Sequence, residues 1–500
     1  MSHCDTAHFH LLKICECSKY ISTCIKATKA RLITLHHVQR FKEGIIMKRG
    51  LVVVVALLLV VMCVSAQDGP KAISGGTART AALGGNPGNP YIMDYSDVFT
   101  NPAFAMKYND LLYGDLGYSF SAYRASGQHV GFTMGLGSVA LGISIGHREG
   151  YMFAENSYGS SVVPFAASDY MVSGINNYLG FGTGEPLAPI QVYGAFGVSG
   201  WTVGAGFFFS SWSRTDQNAG FAGLGEKWEI SNNQFGFKLG TTANLTSSIM
   251  LDASALFRLN GSKAEFSDTA AGAAIAARSY DASGTEIAVN GRVFIKMGRN
   301  FTVVPQARFA TFSYEPELSQ TPTPAAPYNN KPNSYGRSEF EVGIGLNTQL
   351  SVGFVSVGLS LQRISLTNDI TSVAGAALQT TENSVAWFDL PKINIGAEFE
   401  ILSWLTGRMG YFKRYASRTV ESTPPAPGAP TEQTISVDQG YVPSLGFAQP
   451  DQQLSLGLAL LLDRVSIDGY VGERILAAGP YILSGNVQDM FGVLSMSFKF

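Results

Sequence analysis

The chain has 500 residues, of which 46% are hydrophobic and 14% charged, with a formal net charge of −2. Gly (55), Phe (31) and Tyr (21) are plentiful, and after residue 66 no apolar run approaches the ~18 residues that a spanning helix needs. A helical membrane protein and a basic nucleic-acid binder are thereby excluded, which leaves a soluble β protein or a membrane β-barrel.

Residues 1–46 hold Cys4, Cys15, Cys17 and Cys24 and five of the seven histidines. Cys15-Glu16-Cys17 with His8 and His10 matches no zinc-ligand spacing. Met47-Lys48-Arg49-Gly50 is a short basic segment, followed by the apolar run 51–62 and by the small residues Val64-Ser65-Ala66. That order reads as a secretory signal peptide over 47–66, cleaved after Ala66, with a single anchoring helix as the other reading. Cys63 follows the bulky Met62, which argues against lipoprotein processing. Residues 1–46 then read as a mis-called upstream segment, irregular or disordered. Without residues 1–66, 26 of 35 basic and 34 of 37 acidic residues remain, a net charge of −8, and all five cysteines are gone. Such a chain relies on no disulfide, and its acidic balance argues against a nucleic-acid partner.

Residues 67–110 are rich in Gly, Ala and Asn and keep no lasting period. From about Leu112 onward the chain alternates apolar and polar residues in paired stretches of about 9–15 residues. Phe235, Phe237 and Leu239 oppose Lys238; Leu251, Ala253, Phe257 and Leu259 oppose Asp252 and Arg258; Ile393, Ile395 and Phe399 oppose Asn394, Glu398 and Glu400. The connections alternate too. Tight ones are expected near Gly137-Ser138, Ser199-Gly200, Thr246-Ser247, Gly298-Arg299, Ser351, Ser403 and Asp463-Arg464. Long ones are expected near 149–187, 215–226, 261–283, 315–335, 367–386, 419–450 and 476–490. Short turns on one side and long loops on the other are the layout of an antiparallel up-and-down transmembrane barrel of 14–16 strands, built from residues 111–500, with a count of 16 in this reading.

The polar face carries charges of both signs, which belong inside a barrel and would be costly toward lipid. Arg292, Lys296, Arg308, Glu339, Glu341, Glu398, Glu400 and Arg408 are the candidate lumen-lining residues. Glu398 and Arg408 each lie five residues from Ser403, so the hairpin is expected to set them opposite each other. The last stretch puts Leu494, Met496, Phe498 and Phe500 on one face and Ser495, Ser497 and Lys499 on the other. A terminal strand ending on an aromatic residue resembles the closure signal of outer-membrane barrels, read by the barrel-assembly machinery. Two histidines remain beyond residue 66, His129 and His147, and no nucleophile can be nominated beside either, so no enzyme, metal or cofactor is expected.

Ala82-Leu83-Gly84-Gly85 followed by Asn101-Pro102-Ala103 resembles the start of the long-chain fatty-acid transporter (FadL/TodX) superfamily, PorV-like proteins included. Leu390-Pro391-Lys392-Ile393-Asn394-Ile395-Gly396 and Asp451-Gln452-Gln453-Leu454-Ser455-Leu456-Gly457 are similar to late strands of those barrels. The resemblance implies that residues 67–110 fold into the barrel as a hatch with Asn101, Pro102 and Ala103 as its motif. It implies a location in the outer membrane of a Gram-negative (diderm) bacterium, among outer-membrane lipid. It also implies passive uptake of a hydrophobic small-molecule ligand such as a fatty acid, hydrocarbon or aromatic. The alternative is a structural or secretion-associated, PorV-like barrel that binds protein partners through its outer loops.

Overall fold

The computed structural model describes residues 72–84, 89–116, 129–147, 190–217, 226–268, 276–321, 331–374, 377–423, 431–437, 452–472 and 493–500. The expected signal peptide at 47–66, the segment 1–46 and the expected loops at 149–187 and 476–490 lie outside these residues.

The strands, in chain order, are β1 (Leu111–Leu116), β2 (His129–Leu136), β3 (Val139–Ile145), β4 (Ile190–Val198), β5 (Trp201–Gln217), β6 (Glu226–Asn244), β7 (Ile249–Asp268), β8 (Ala276–Met297) and β9 (Phe301–Thr321). They continue with β10 (Lys331–Leu350), β11 (Gly353–Ala374), β12 (Ala377–Leu402), β13 (Leu405–Thr423), β14 (Thr431–Val437), β15 (Gln452–Leu462), β16 (Val465–Gly472) and β17 (Val493–Lys499). Each pairs antiparallel with its neighbour in sequence up to β13 and β14. β13 then carries two partners along its length: Ser422 to Ala416 face β14, and Lys413 to Leu405 face β15. β14 and β15 therefore share one place in the wall, so the 17 strands fill 16 positions. β17 pairs with β1 from Leu111↔Lys499 to Leu116↔Leu494, which closes the ring.

All seven tight connections fall where the alternation breaks, and local chemistry shows why. At Ser199-Gly200 both residues have positive φ, 48° and 83°, the backbone of a two-residue hairpin turn. The expected strand lengths need correction. β5 to β13 run from 17 to 26 residues, so much of the chain expected in loops at 261–283, 315–335 and 367–386 is strand. The cause is visible on β9. Its outward positions 301–309 end on exposed Phe309 and are followed by Thr311, Ser313, Glu315 and Glu317. Once the outer face meets water, apolar/polar alternation stops marking the strand although its ladder continues.

The barrel is inside out relative to a soluble protein. On β6 Leu239 is 62% exposed and its neighbour Lys238 only 4%. Phe237, Phe257, Ile287, Phe309, Phe340, Leu359 and Phe399 likewise face outward, while Arg258, Glu286, Glu339 and Arg408 are buried. Nine residues of β9 from Phe301 to Phe309 at about 3.3 Å each and about 40° tilt give a belt of roughly 23 Å, the height of a membrane barrel's apolar band. In water, each such exposed Leu or Phe would forfeit about 1.5–3 kcal/mol of burial, so the belt implies lipid.

Candidate functional site

The described residues 72–84 and 89–110 lie within the ring as a plug in the half nearest the tight turns. The plug comprises one short helix, α1 (Thr77–Ala82), and two 3₁₀ turns, Tyr95–Phe99 and Pro102–Ala105. Local chemistry starts each turn. Asp94 and Asp97 form a reciprocal capping box, with the Asp97 carboxylate accepting from the Asp94 amide at 2.9 Å. Asn101 caps the second turn, accepting from the Ala103 amide at 3.0 Å, and Pro102 occupies the first helical position, where its missing N–H costs nothing.

Four seats hold the plug to the wall. The first is the Asn101-Pro102-Ala103 motif, entirely buried. The Asn101 amide donates to the Asp252 carboxylate (2.6 Å) and to the Thr241 and Ala253 carbonyls (3.0 and 3.2 Å). This close approach needs glycine in the wall, because a Cβ on Gly204 would lie 2.3 Å from the Ala103 nitrogen. Gly204→Ala is therefore expected to lift the plug backbone while leaving the β5 ladder intact, at an overpacking cost of about 1–3 kcal/mol. Limited proteolysis checks this: residues 72–110 should be cut at least several-fold faster in a barrel that still migrates as a folded, heat-modifiable species.

The second seat is centred on Arg292 of β8. Its guanidinium meets Asp97 at 3.0 Å and Asp252 at 2.6 Å, and donates to the Pro90 and Ile92 carbonyls at 3.2 and 3.1 Å. One cation thus serves two carboxylates, and burial pushes the Asp97 carboxyl up to about 6 despite Arg292. The third seat joins Arg79 of α1 to Glu398 at 2.9 Å. Glu398 stands opposite Arg408 across the Ser403 turn and pairs with it at 2.6 Å. Arg408 continues to Asp468 at 2.6 Å and to the Ser74 hydroxyl. The fourth seat holds Tyr91, whose ring lies against Gly343, Gly345 and Gly358 and whose hydroxyl donates to the Leu359 carbonyl at 3.0 Å. Asn347 donates to the Tyr91 carbonyl at 2.8 Å.

On the wall formed by β1, β3 and β4 the plug is held differently. Tyr95, Val98, Phe99, Phe104 and Ala105 pack there against Tyr113, Ala140, Tyr193 and Ala195 in an apolar, aromatic seam. The hydroxyls of Tyr113 and Tyr193 bond to each other, and Thr133 bonds Tyr193 at 3.0 Å.

The other expected lumen residues separate into two groups. Glu341 is buried with Lys392 at 3.0 Å and Ser360 at 2.8 Å, and Arg308 stands opposite it in register. Glu339 pairs with Arg337 at 3.3 Å and accepts from Gln362 at 2.6 Å. Lys296 and Glu400, by contrast, are exposed near the tight turns that end β8 and β12, so they border the mouth and not the lumen. In the terminal strand Ser495 and Ser497 reach inward to the Ala78 amide and the Ile73 carbonyl. Leu494, Met496, Phe498 and Phe500 alternate with them on the other face. The residues the sequence did not single out are those of the plug itself, Arg79, Tyr91, Asp97 and Phe99. One signal was present: Arg79, Asp94 and Asp97 are isolated charges in a Gly/Ala/Asn-rich segment.

No family model matches the chain, and no curated relative does. Among solved structures it is similar to the Pseudomonas putida toluene transporter TodX, at 12% identity and a TM-score of 0.34, covering 86% of this chain and 100% of that one. The Ralstonia pickettii toluene transporter TbuX gives 12% and 0.34, with 87% and 99% covered. The E. coli K12 ferric-catecholate import receptor Fiu, open form, gives 9% and 0.32, with 78% and 81% covered. At these identities and scores the likeness carries no argument, and the fold stands on the barrel's own strand pairing.

Proposed function

We propose that the protein is an outer-membrane transporter of a Gram-negative bacterium that admits small hydrophobic molecules passively when its plug shifts. The single observation that carries this reading is the asymmetry of the plug's contacts. Buried charges, amides and hydroxyls fix it to β6–β8 and to β10–β13, β16 and β17, while among the described residues its contacts with β1, β3 and β4 are those of the apolar, aromatic seam, beside which Asp115, Ser144 and Gln191 of the wall are also buried. A hydrophobic molecule parting plug from wall along that seam breaks dispersion contacts, which it replaces with its own, whereas along the polar seats it would leave buried ions unpaired. Export through the signal segment 47–66, followed by insertion through the assembly machinery, belongs to the same proposal.

Uptake of labelled toluene, hexadecane and oleate by a deletion strain tests it. At least one should enter several-fold more slowly than in the parent, and the defect should be restored by the gene. Unchanged uptake of all three, together with loss of a secreted protein, would assign the barrel to secretion instead.

A further inference from the structure

At one end of the seam, wall side chains make an aromatic cage that the plug itself fills. Phe99, 5% exposed, lies flat on His147, with ring centroids 3.5 Å apart and planes inclined by 7°. His129 meets the same ring edge-on at 5.1 Å and 86°, and Tyr113 does so at 5.7 Å and 74°. His129 and His147 stand 5.0 Å apart at 80° to each other. The three wall rings come from separate places: β1, the start of β2, and the residue pair after β3. The Lys238 ammonium of β6 bonds the Phe99 carbonyl.

We propose that Phe99 is a built-in stand-in for a ligand, and that the His147–His129–Tyr113 cage binds a planar aromatic small molecule in its place. This rests on the transporter reading given above. The geometry favours a flat ring over an alkyl chain, because one face must lie about 3.5 Å from the imidazole of His147 while two other rings point their edges at it. Occupancy is coupled to the plug through the chain. Phe99 lies two residues from Asp97, which Arg292 holds, and two from Asn101, which sits on Asp252. A ligand that takes the Phe99 position therefore competes with docking at the first and second seats, and favours the undocked state by its differential affinity.

The test uses the full-length barrel in nanodiscs with 4-fluorotoluene as the aromatic probe, followed by fluorine NMR, and decanoate as the alkyl comparator. Phe99→Ala empties the cage and should tighten fluorotoluene binding about tenfold, leaving decanoate unchanged. Phe99→Leu, which keeps volume without planarity and guards against simple collapse, should give an intermediate gain. Adding His147→Ala to Phe99→Ala should abolish the gain. Unchanged binding in both Phe99 variants, an equal gain for decanoate, or a gain that survives loss of His147 would each overturn the cage. Those outcomes leave the uptake phenotype of the deletion strain untouched, whereas normal uptake of every hydrophobic compound in that strain defeats the transporter reading itself.

Discussion

Hydrogen exchange at the plug amides of residues 94–105 is expected to quicken about a hundredfold in Arg292→Ala, with exchange in the β8 and β9 ladders unchanged. Arg292 is the one cation within ion-pair distance of both Asp97 and Asp252 among the described residues. Removing it leaves two carboxylates facing each other inside the barrel and two plug carbonyls, of Pro90 and Ile92, without their donor. Breaking one side of a buried ion pair costs about 3–5 kcal/mol. Side chains here are 15% and 16% exposed for Arg292 and Asp97, so the lower end of that range applies, about 3 kcal/mol or two powers of ten in the undocked population. Arg292→Lys keeps the charge but lacks the planar fork, and should fall between the two. Lys296→Ala, at the exposed rim of the same strand, should leave plug exchange at the wild-type rate. An Arg292→Ala barrel with unaltered plug protection would mean that the other three seats hold the plug without it.

How much of this was legible in the sequence follows from how local each signal is. The Glu398–Arg408 pair could be placed from spacing alone, because a tight hairpin fixes the register of residues equidistant from its turn. The inner and outer faces were legible for the same reason: strand period is 2, and lipid outside reverses the usual pattern without erasing it. Asn101 was legible as a motif, although its bonds to Asp252 and Thr241 were not. Arg292 was visible as a wall charge, but its partners lie up to 202 residues away, and no local period reports a contact made by closing the ring. The outer halves of β5 to β13 were missed because both their environments are polar. His147 and His129 carried no site signal in the sequence beyond the lack of a nucleophile beside them, since the ring that packs on them belongs to a separate, aperiodic segment.

Deleting residues 493–500 should have the largest effect of all: no heat-modifiable barrel should form, in cells or on refolding into detergent. β17 is paired over six positions with β1 and six with β16, so its loss opens two strand edges at once. The Phe500 amide donates to the Asp110 carbonyl at 3.1 Å and the Lys499 ammonium to the Asn109 carbonyl, so the plug's last residues also lose their anchor. Each unpaired backbone group in the apolar part of a bilayer costs several kcal/mol, which exceeds any domain's stability once a few accumulate. Phe500→Ala separates closure from recognition. It keeps every backbone pairing and removes only an exposed ring that stacks on Phe132 at 6.3 Å. Refolding in detergent should therefore proceed at nearly the wild-type yield, while the amount assembled in cells falls several-fold if the assembly machinery reads the terminal aromatic. Equal assembly in cells would strip Phe500 of that role and leave it a member of the lipid-facing belt. A matching loss in detergent would instead make its ring part of the closure itself.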